Sequence, residues 1–333
     1  MAYKILITDP ISDSGIKYLE KNNCEVINII NSPESLDNII DTIDAWIIRS
    51  GTKVLKKHLS KAKNLKIIGR AGVGVDNIDI SNATKYGIVV MNVPDGNSIS
   101  AAEHTMAMIL ALSRNIHIGH ETLIDGKWER VNLVGNEVKN KTLGVVGLGK
   151  IGNEVISRAL SFGMKILGYD PYIDKNTFND DNIKIVDLDE LVKLSDIITL
   201  HVPLNDSTKN LFNYKKLKLM KSTAKIINVA RGGIINEIDL AKALNENLIS
   251  GAGIDVFENE PLDKKNPLIH AKNCLLTPHL GASTFEAKEG VSKSICQNIV
   301  GFLESNKLNN ALNFPISDMN IFNKLQPFLN LAE

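Results

Sequence analysis

The stretch of this sequence best equipped for chemistry is Gly147-Leu148-Gly149-Lys150-Ile151-Gly152, with an acid further on at Asp170. Each residue type there has a physical task. Gly147 allows a tight turn, Gly149 lets backbone approach a pyrophosphate, and Gly152 lets a helix lie close to a strand. The helix that opens at Lys150 and Ile151 offers unpaired N–H groups and the positive end of its dipole to phosphate oxygens. Asp170 sits where a carboxylate accepts both hydroxyls of an adenosine ribose. A 2′-phosphate would meet a like charge there, so the pattern favours NAD. A lone pattern of this kind is also met in Gly-rich turns of other βαβ units. Here residues 142–146 read as a buried strand before it, 153–160 as a helix start after it, and 165–169 as the strand that delivers Asp170.

A dinucleotide that exchanges hydride with an alcohol needs a group to remove and return the hydroxyl proton, and histidine suits that task near neutral pH. Seven histidines are present. His104 and His117 fall on one long helix and read as packing or solvated residues. His58 and His120 lie in polar surroundings, and His270 lies in a polar turn. His201, in Leu200-His201-Val202-Pro203, and His279, in Thr277-Pro278-His279-Leu280-Gly281, follow strand ends. Ligands of open α/β sheets bind outside the carboxyl ends of the strands, which leaves these two, with His279 favoured. His201, Val202 and Pro203 are then expected to line the cofactor site. A carboxylate neighbour favours the protonated imidazole. Glu258 and Glu260 follow the preceding strand, and either could reach His279.

An acidic substrate calls for a fixed cation. Arg231 follows the strand ending at Ala230 and precedes Gly232-Gly233, where the absence of a side chain leaves the guanidinium open to a ligand. Two loops of the N-terminal part repeat the design: Arg49-Ser50-Gly51-Thr52 and Arg70-Ala71-Gly72-Val73-Gly74. Backbone N–H groups plus a cation make an anion pocket, so both loops are expected to bind substrate.

The elements that position these residues alternate strand with helix, the signature of parallel α/β sheets. Candidate strands at 5–8, 25–29, 45–49, 67–69 and 88–92 form one set, and those at 143–147, 165–169, 197–201, 225–230, 251–255 and 274–277 another. Helices are expected over 12–21, 35–41, 100–117 and 284–304. The fold expected is two Rossmann-like or flavodoxin-like parallel-sheet domains with a cleft between them. Residues 1–98 with 284–333 would build a discontinuous substrate domain, and 99–283 the NAD domain. With 38 basic and 38 acidic residues, the charge balance points to neither nucleic acid nor membrane. The start of the chain reads directly into a strand with no signal peptide. Three scattered cysteines suggest neither disulfides nor a metal site. A cytoplasmic enzyme without metal fits these features.

The chain resembles the D-isomer-specific 2-hydroxyacid dehydrogenases over nearly its whole length. The resemblance rests on Gly69 to Asn77, Asn97-Ser98-Ile99-Ser100-Ala101-Ala102-Glu103-His104, Gly147 to Gly152, Val229 to Gly233, Asp255 to Pro261 and Pro278 to Ser283. It implies that Arg231, Glu260 and His279 are catalytic, which chooses His279 over His201 and Glu260 over Glu258. It also implies cofactor contacts at Lys150, Ile151, Asp170, Val202, Ala230, Asp255, His279 and Gly281. The Gly-Arg-Ala-Gly and Asn-Ser segments point to the phosphoglycerate branch. The implied reaction is reversible NAD-dependent oxidation of D-3-phosphoglycerate, the first step of serine biosynthesis, with Arg49, Arg70, Gly72, Val73 and Asn97 at the substrate. The alternatives within the family are glyoxylate, hydroxypyruvate or D-lactate as substrate, or a nucleotide-sensing corepressor-like protein. The resemblance further implies a homodimer formed through about 118–140, from which Arg130 could reach a partner's substrate. The end of the chain reads as a short form, or as the first residues of an extension.

Overall fold

Runs of branched aliphatic residues with almost no polar interruption, such as Ile-Ile at 47–48, 67–68 and 197–198, suit strands covered on both faces. A computed structural model, which describes residues 2–32, 36–174 and 182–314, shows them as such. Residues 33–35, which overlap the start of the helix expected at 35–41, and the C-terminal stretch from 315 lie outside the described residues.

The chain forms two compact units, one of residues up to Asn97 with those from Thr284 onward, the other Ser98–Ser283. The first unit holds β1 (Tyr3–Ile7), β2 (Cys24–Asn28), β3 (Ala45–Ile48), β4 (Ile67–Arg70) and β5 (Val89–Met91). All pairs are parallel, in the order β2-β1-β3-β4-β5. The helix Phe285–Ser305 lays Ile295, Cys296 and Ile299 into the same core as Ile5, Ile7 and Ile67. A Cβ at Gly69 would stand 2.6 Å from Ile299 Cδ1, so glycine lets that helix seat on β4.

The second unit holds β6 (Thr142–Val146), β7 (Lys165–Tyr169), β8 (Ile183–Ile185), β9 (Ile197–Leu200), β10 (Lys225–Asn228), β11 (Gly251–Ile254) and β12 (Cys274–Leu276). Their order is β12-β11-β10-β9-β6-β7-β8, again wholly parallel. The sheet therefore has seven strands where six were expected; β8 is three residues long with an exposed Lys184 at its centre, too short to show a period. The order reverses between β6 and β9, which places the crevice at their carboxyl ends, at Gly147 and His201.

The long helix expected over 100–117 is two helices. Ser98–Ser113 ends, Asn115 takes a left-handed φ of 53°, and a second helix, Ile116–Ile124, follows. Asparagine tolerates that conformation and so breaks an otherwise continuous pattern. His117 consequently lies on the second helix, apart from His104. The cysteines are all free, and burial pushes the Cys274 thiol up to about 12. Among the described residues no helix is long and apolar enough to cross a membrane.

Candidate active site

The turn after β6 gives each glycine of the fingerprint a distinct reason. Gly147 has φ of 94°, and a Cβ there would stand 2.4 Å from the His201 carbonyl oxygen. A Cβ at Gly152 would stand 2.1 Å from the Gly147 oxygen, so this glycine closes helix onto turn. At Gly149 a Cβ would meet nothing within 4 Å, which leaves open space where a ligand can approach. Gly149 is the N-cap of the helix Lys150–Ser161 and gives it no side-chain cap. Asp170 follows β7; its Oδ2 accepts the Leu148 N–H at 2.9 Å and its Oδ1 the Tyr172 N–H at 3.0 Å. Each carboxylate oxygen retains acceptor capacity. Open backbone, an uncapped helix start and a carboxylate fixed beside them fit a dinucleotide with free ribose hydroxyls.

The candidate chemistry lies on the neighbouring strand ends of the same unit. Arg231 is half-buried after β10; its Nη1 donates to the Ala230 oxygen at 2.7 Å, and Asn228 braces the turn by donating to the Arg231 oxygen at 2.8 Å. A Cβ at Gly232 would fall 2.0 Å from the carbonyl carbon and oxygen of Phe257. The glycine after Arg231 is thus needed for the backbone of the next loop, a requirement the sequence did not announce. In that loop Glu260 Oε1 accepts the Phe257 N–H at 3.0 Å, and Oε2 lies 2.7 Å from His279 Nδ1. One backbone contact and two hydrogen bonds therefore connect Arg231, Glu260 and His279. Glu258 takes no part in this: its side chain is exposed, and its N–H donates to Glu237.

The electrostatics assign the proton positions. Burial raises the Glu260 carboxyl, but the hydrogen bond and charge of His279 and the Phe257 N–H together hold it below its ordinary value. A carboxylate only accepts, so His279 Nδ1 carries hydrogen and Nε2 is left available for other contacts. His201 is a different case. Burial drives its imidazole down to about 3, and its Nε2 lies 3.0 Å from the Thr199 hydroxyl. It stays neutral at pH 7 and is unsuited to act as an acid.

Asp255 is fully buried, and its carboxylate is engaged within the protein. Oδ1 accepts from Thr277 Oγ1 at 2.6 Å and Leu280 N at 2.7 Å and faces His104 Nε2 at 3.2 Å; Oδ2 accepts from Gly281 N at 2.9 Å. Burial raises its pKa, and these bonds outweigh that and lower it. His104, expected as a packing or solvated residue, instead belongs to this network. Ala101 and Met108, one turn to either side, are buried, and an imidazole on such a stripe needs a polar partner. That signal was present in the sequence; the identity of the partner was not.

The first unit departs from expectation at its arginine loops. In the order β2-β1-β3-β4-β5, ligands are expected at the switch between β1 and β3. There Asp9 Oδ2 already accepts the N–H groups of Arg49 at 2.6 Å and Thr52 at 3.0 Å, so the pocket of amides is filled by the protein's own anion. Arg70 lies over its own loop: a Cβ at Gly72, φ 144°, would fall 1.8 Å from its Nη1. The Gly72 N–H donates to the Arg70 oxygen at 2.9 Å, so Gly72 serves the loop rather than offering an amide to an anion. Val73 gives its oxygen to Asn92 Nδ2 at 2.6 Å. Asn97 Oδ1 is buried without a hydrogen-bond partner, and Arg130 is exposed.

The model of the D-isomer-specific 2-hydroxyacid dehydrogenase NAD-binding domain matches residues 106–281. The chain belongs to this family. It is 46% identical to a D-3-phosphoglycerate dehydrogenase of Methanocaldococcus jannaschii, over 99% of this chain and 63% of that protein. It is 45% identical to one of Synechocystis, over 99% of this chain and 59% of that protein. The chain thus spans about three fifths of the length of the curated relatives it matches. Among solved structures, the NAD-dependent formate dehydrogenase of Staphylococcus aureus in complex with NAD superimposes with a TM-score of 0.84 at 30% identity, covering 93% of this chain and 99% of the other. The family match runs from the middle of the helix Ser98–Ser113 to Gly281, and so includes the fingerprint, Arg231, Glu260 and His279.

Proposed function

We propose that this chain catalyses the reversible NAD-dependent oxidation of D-3-phosphoglycerate to 3-phosphohydroxypyruvate, the first step of serine biosynthesis. The observation that carries the dehydrogenase reading is the 2.7 Å His279–Glu260 pair, in the same unit as the dinucleotide fingerprint. NAD, when bound, supplies the acceptor for hydride. His279 Nε2 removes the proton of the 2-hydroxyl in oxidation and returns it in reduction. Glu260 holds the ring in the tautomer that leaves Nε2 available. Arg231 binds the substrate carboxylate and balances charge on the 2-oxygen, and fixed cations of this kind are among the largest catalytic terms. Lys150, Ile151, Val202, Pro203, Ala230 and Gly281 are assigned to the cofactor. Asp255 acts there through the turn that it holds.

The phosphate assignment is supported by the two relatives' names and by Arg70. Arg49 is the weaker candidate, because Asp9 beside it already offsets its charge. Asn97, with its unmatched buried oxygen, suits a ligand-facing role. A homodimer is supported by the exposure of Trp128, Val131 and Val134, each more than 80% accessible, beside exposed Leu123 and Ile124. Apolar surface of that extent marks an interaction face. Three free thiols fit a reducing, cytoplasmic setting. The test is oxidation of NADH with 3-phosphohydroxypyruvate against hydroxypyruvate, glyoxylate and pyruvate. Preference for the phosphorylated acid by at least about tenfold in kcat/KM is expected from one extra charge-assisted contact. A preference for an unphosphorylated acid overturns the phosphate assignment, and turnover of none overturns the enzyme reading.

A further inference from the structure

We propose that His104 is a positioning residue for proton transfer, holding the turn of His279 through the buried carboxylate of Asp255. The proposal rests on the reading of His279 as the proton-transfer group.

A hydrogen count assigns the ring. The Thr277 hydroxyl has one proton, and at 2.6 Å it is donated to Asp255 Oδ1. A carboxylate has none to give. Both oxygens that His104 Nε2 faces, Asp255 Oδ1 and Thr277 Oγ1, each at 3.2 Å, are therefore acceptors toward it. His104 Nε2 carries a hydrogen and shares it between them.

What this hydrogen supports is the turn. His279 has φ of 54°, a left-handed conformation that a side chain with a Cβ rarely adopts and that neighbours must hold. Asp255 supplies most of these contacts, and the Thr277 oxygen also accepts the His279 N–H at 3.0 Å. The Asp255 backbone oxygen accepts the His279 N–H at 2.8 Å, and its carboxylate accepts the next two N–H groups, Leu280 at 2.7 Å and Gly281 at 2.9 Å. A carboxylate with no exposure to water stays ionised only while its lone pairs are matched. His104 supplies one of four donors from a helix, Ser98–Ser113, that is otherwise in contact with the sheet through apolar residues. A leucine would satisfy the packing at position 104; only a donor satisfies Asp255.

The experiment compares His104→Leu with His104→Gln, whose amide N–H reaches about as far as Nε2. His104→Met replaces the leucine variant should that one fail to fold. In the apolar variant kcat for reduction of the preferred 2-oxo acid is expected to fall roughly tenfold to a hundredfold, as displacement of a reacting group does. KM for NADH should stay near wild type. In the ligand-free protein, amide hydrogen exchange in a peptide covering 277–283 should speed up. His104→Gln should restore most of both. Wild-type kcat and exchange in the apolar variant overturn the proposal, as does equal loss in the glutamine variant or a loss confined to KM for NADH. Absence of any turnover in the wild type instead overturns the dehydrogenase reading, and the exchange comparison then still decides the role of His104.

Discussion

Replacing Gly232 by alanine tests whether the link between Arg231 and Glu260 is mechanical. The new Cβ would lie 2.0 Å from the Phe257 carbonyl carbon and oxygen and 2.5 Å from the Glu258 nitrogen. These are backbone atoms and cannot rotate away. Ordinary contact begins near 3.4 Å, so the two backbones must separate by about 1.4 Å. Glu260 is tied to the moving segment through the Phe257 N–H, while His279 is tied to Asp255. The 2.7 Å contact between Glu260 and His279 would then open beyond hydrogen-bond range. Misplacement of a catalytic group by about 1 Å costs on the order of a hundredfold in rate. The expected result is kcat lower by about that factor, with NADH affinity from fluorescence titration changed less than about twofold, because no fingerprint residue is touched. Overpacking of this kind should also lower stability by about 1–3 kcal/mol, read from urea unfolding. Gly232 does not need a left-handed φ, so the contact is responsible for any loss. A folded variant with near wild-type kcat, or one whose NADH affinity falls in step with kcat, would refute the mechanical link.

Gly149→Ala should behave in the opposite way: it should melt like the wild type, because its Cβ meets nothing, yet lose at least about tenfold in NADH affinity, or about 1.4 kcal/mol. Unchanged affinity would mean that the pyrophosphate lies elsewhere. Arg70→Ala should raise KM for 3-phosphohydroxypyruvate by about one to two powers of ten and affect hydroxypyruvate much less; equal effects on both would remove Arg70 from phosphate recognition. The Asp255 pKa is lowered in the folded protein, so its contribution to stability is complete above the ordinary value of 3.8 and is lost as pH falls through the folded value. The stability advantage of wild type over Asp255→Asn, from urea unfolding, should therefore shrink as pH is lowered below about 3.8, and an advantage that stays constant to pH 2 would show that the carboxylate is not the stabilising species.

Residues whose task is local could be read from the sequence, and residues whose partner is distant could not. Gly147, Gly149 and Gly152 act within one turn, so their spacing announces them. The parallel sheets were legible because strands covered on both faces must be continuously apolar. The strand β8 escaped because three residues carry no period, and the break at Asn115 because an asparagine in a helical pattern does not state whether its φ will be positive. The arginine loops show the limit most clearly. Arg49-Ser50-Gly51-Thr52 has the composition of an anion pocket, and it does bind an anion: the carboxylate of Asp9, which stands forty residues earlier and follows the neighbouring strand. Gly232 and Gly51 follow the same rule. A glycine beside an arginine looks like room left for a ligand. In both places the room is taken by the protein, by the Phe257 backbone in one and the Asp9 side chain in the other. Composition indicates that something must approach closely. Only the topology, by setting which strand ends are neighbours, decides whether that something is a ligand or another part of the chain. Of Gly51, Gly147, Gly149, Gly152 and Gly232, Gly149 is the one whose space stays open, and it is there that the case for a bound dinucleotide is strongest.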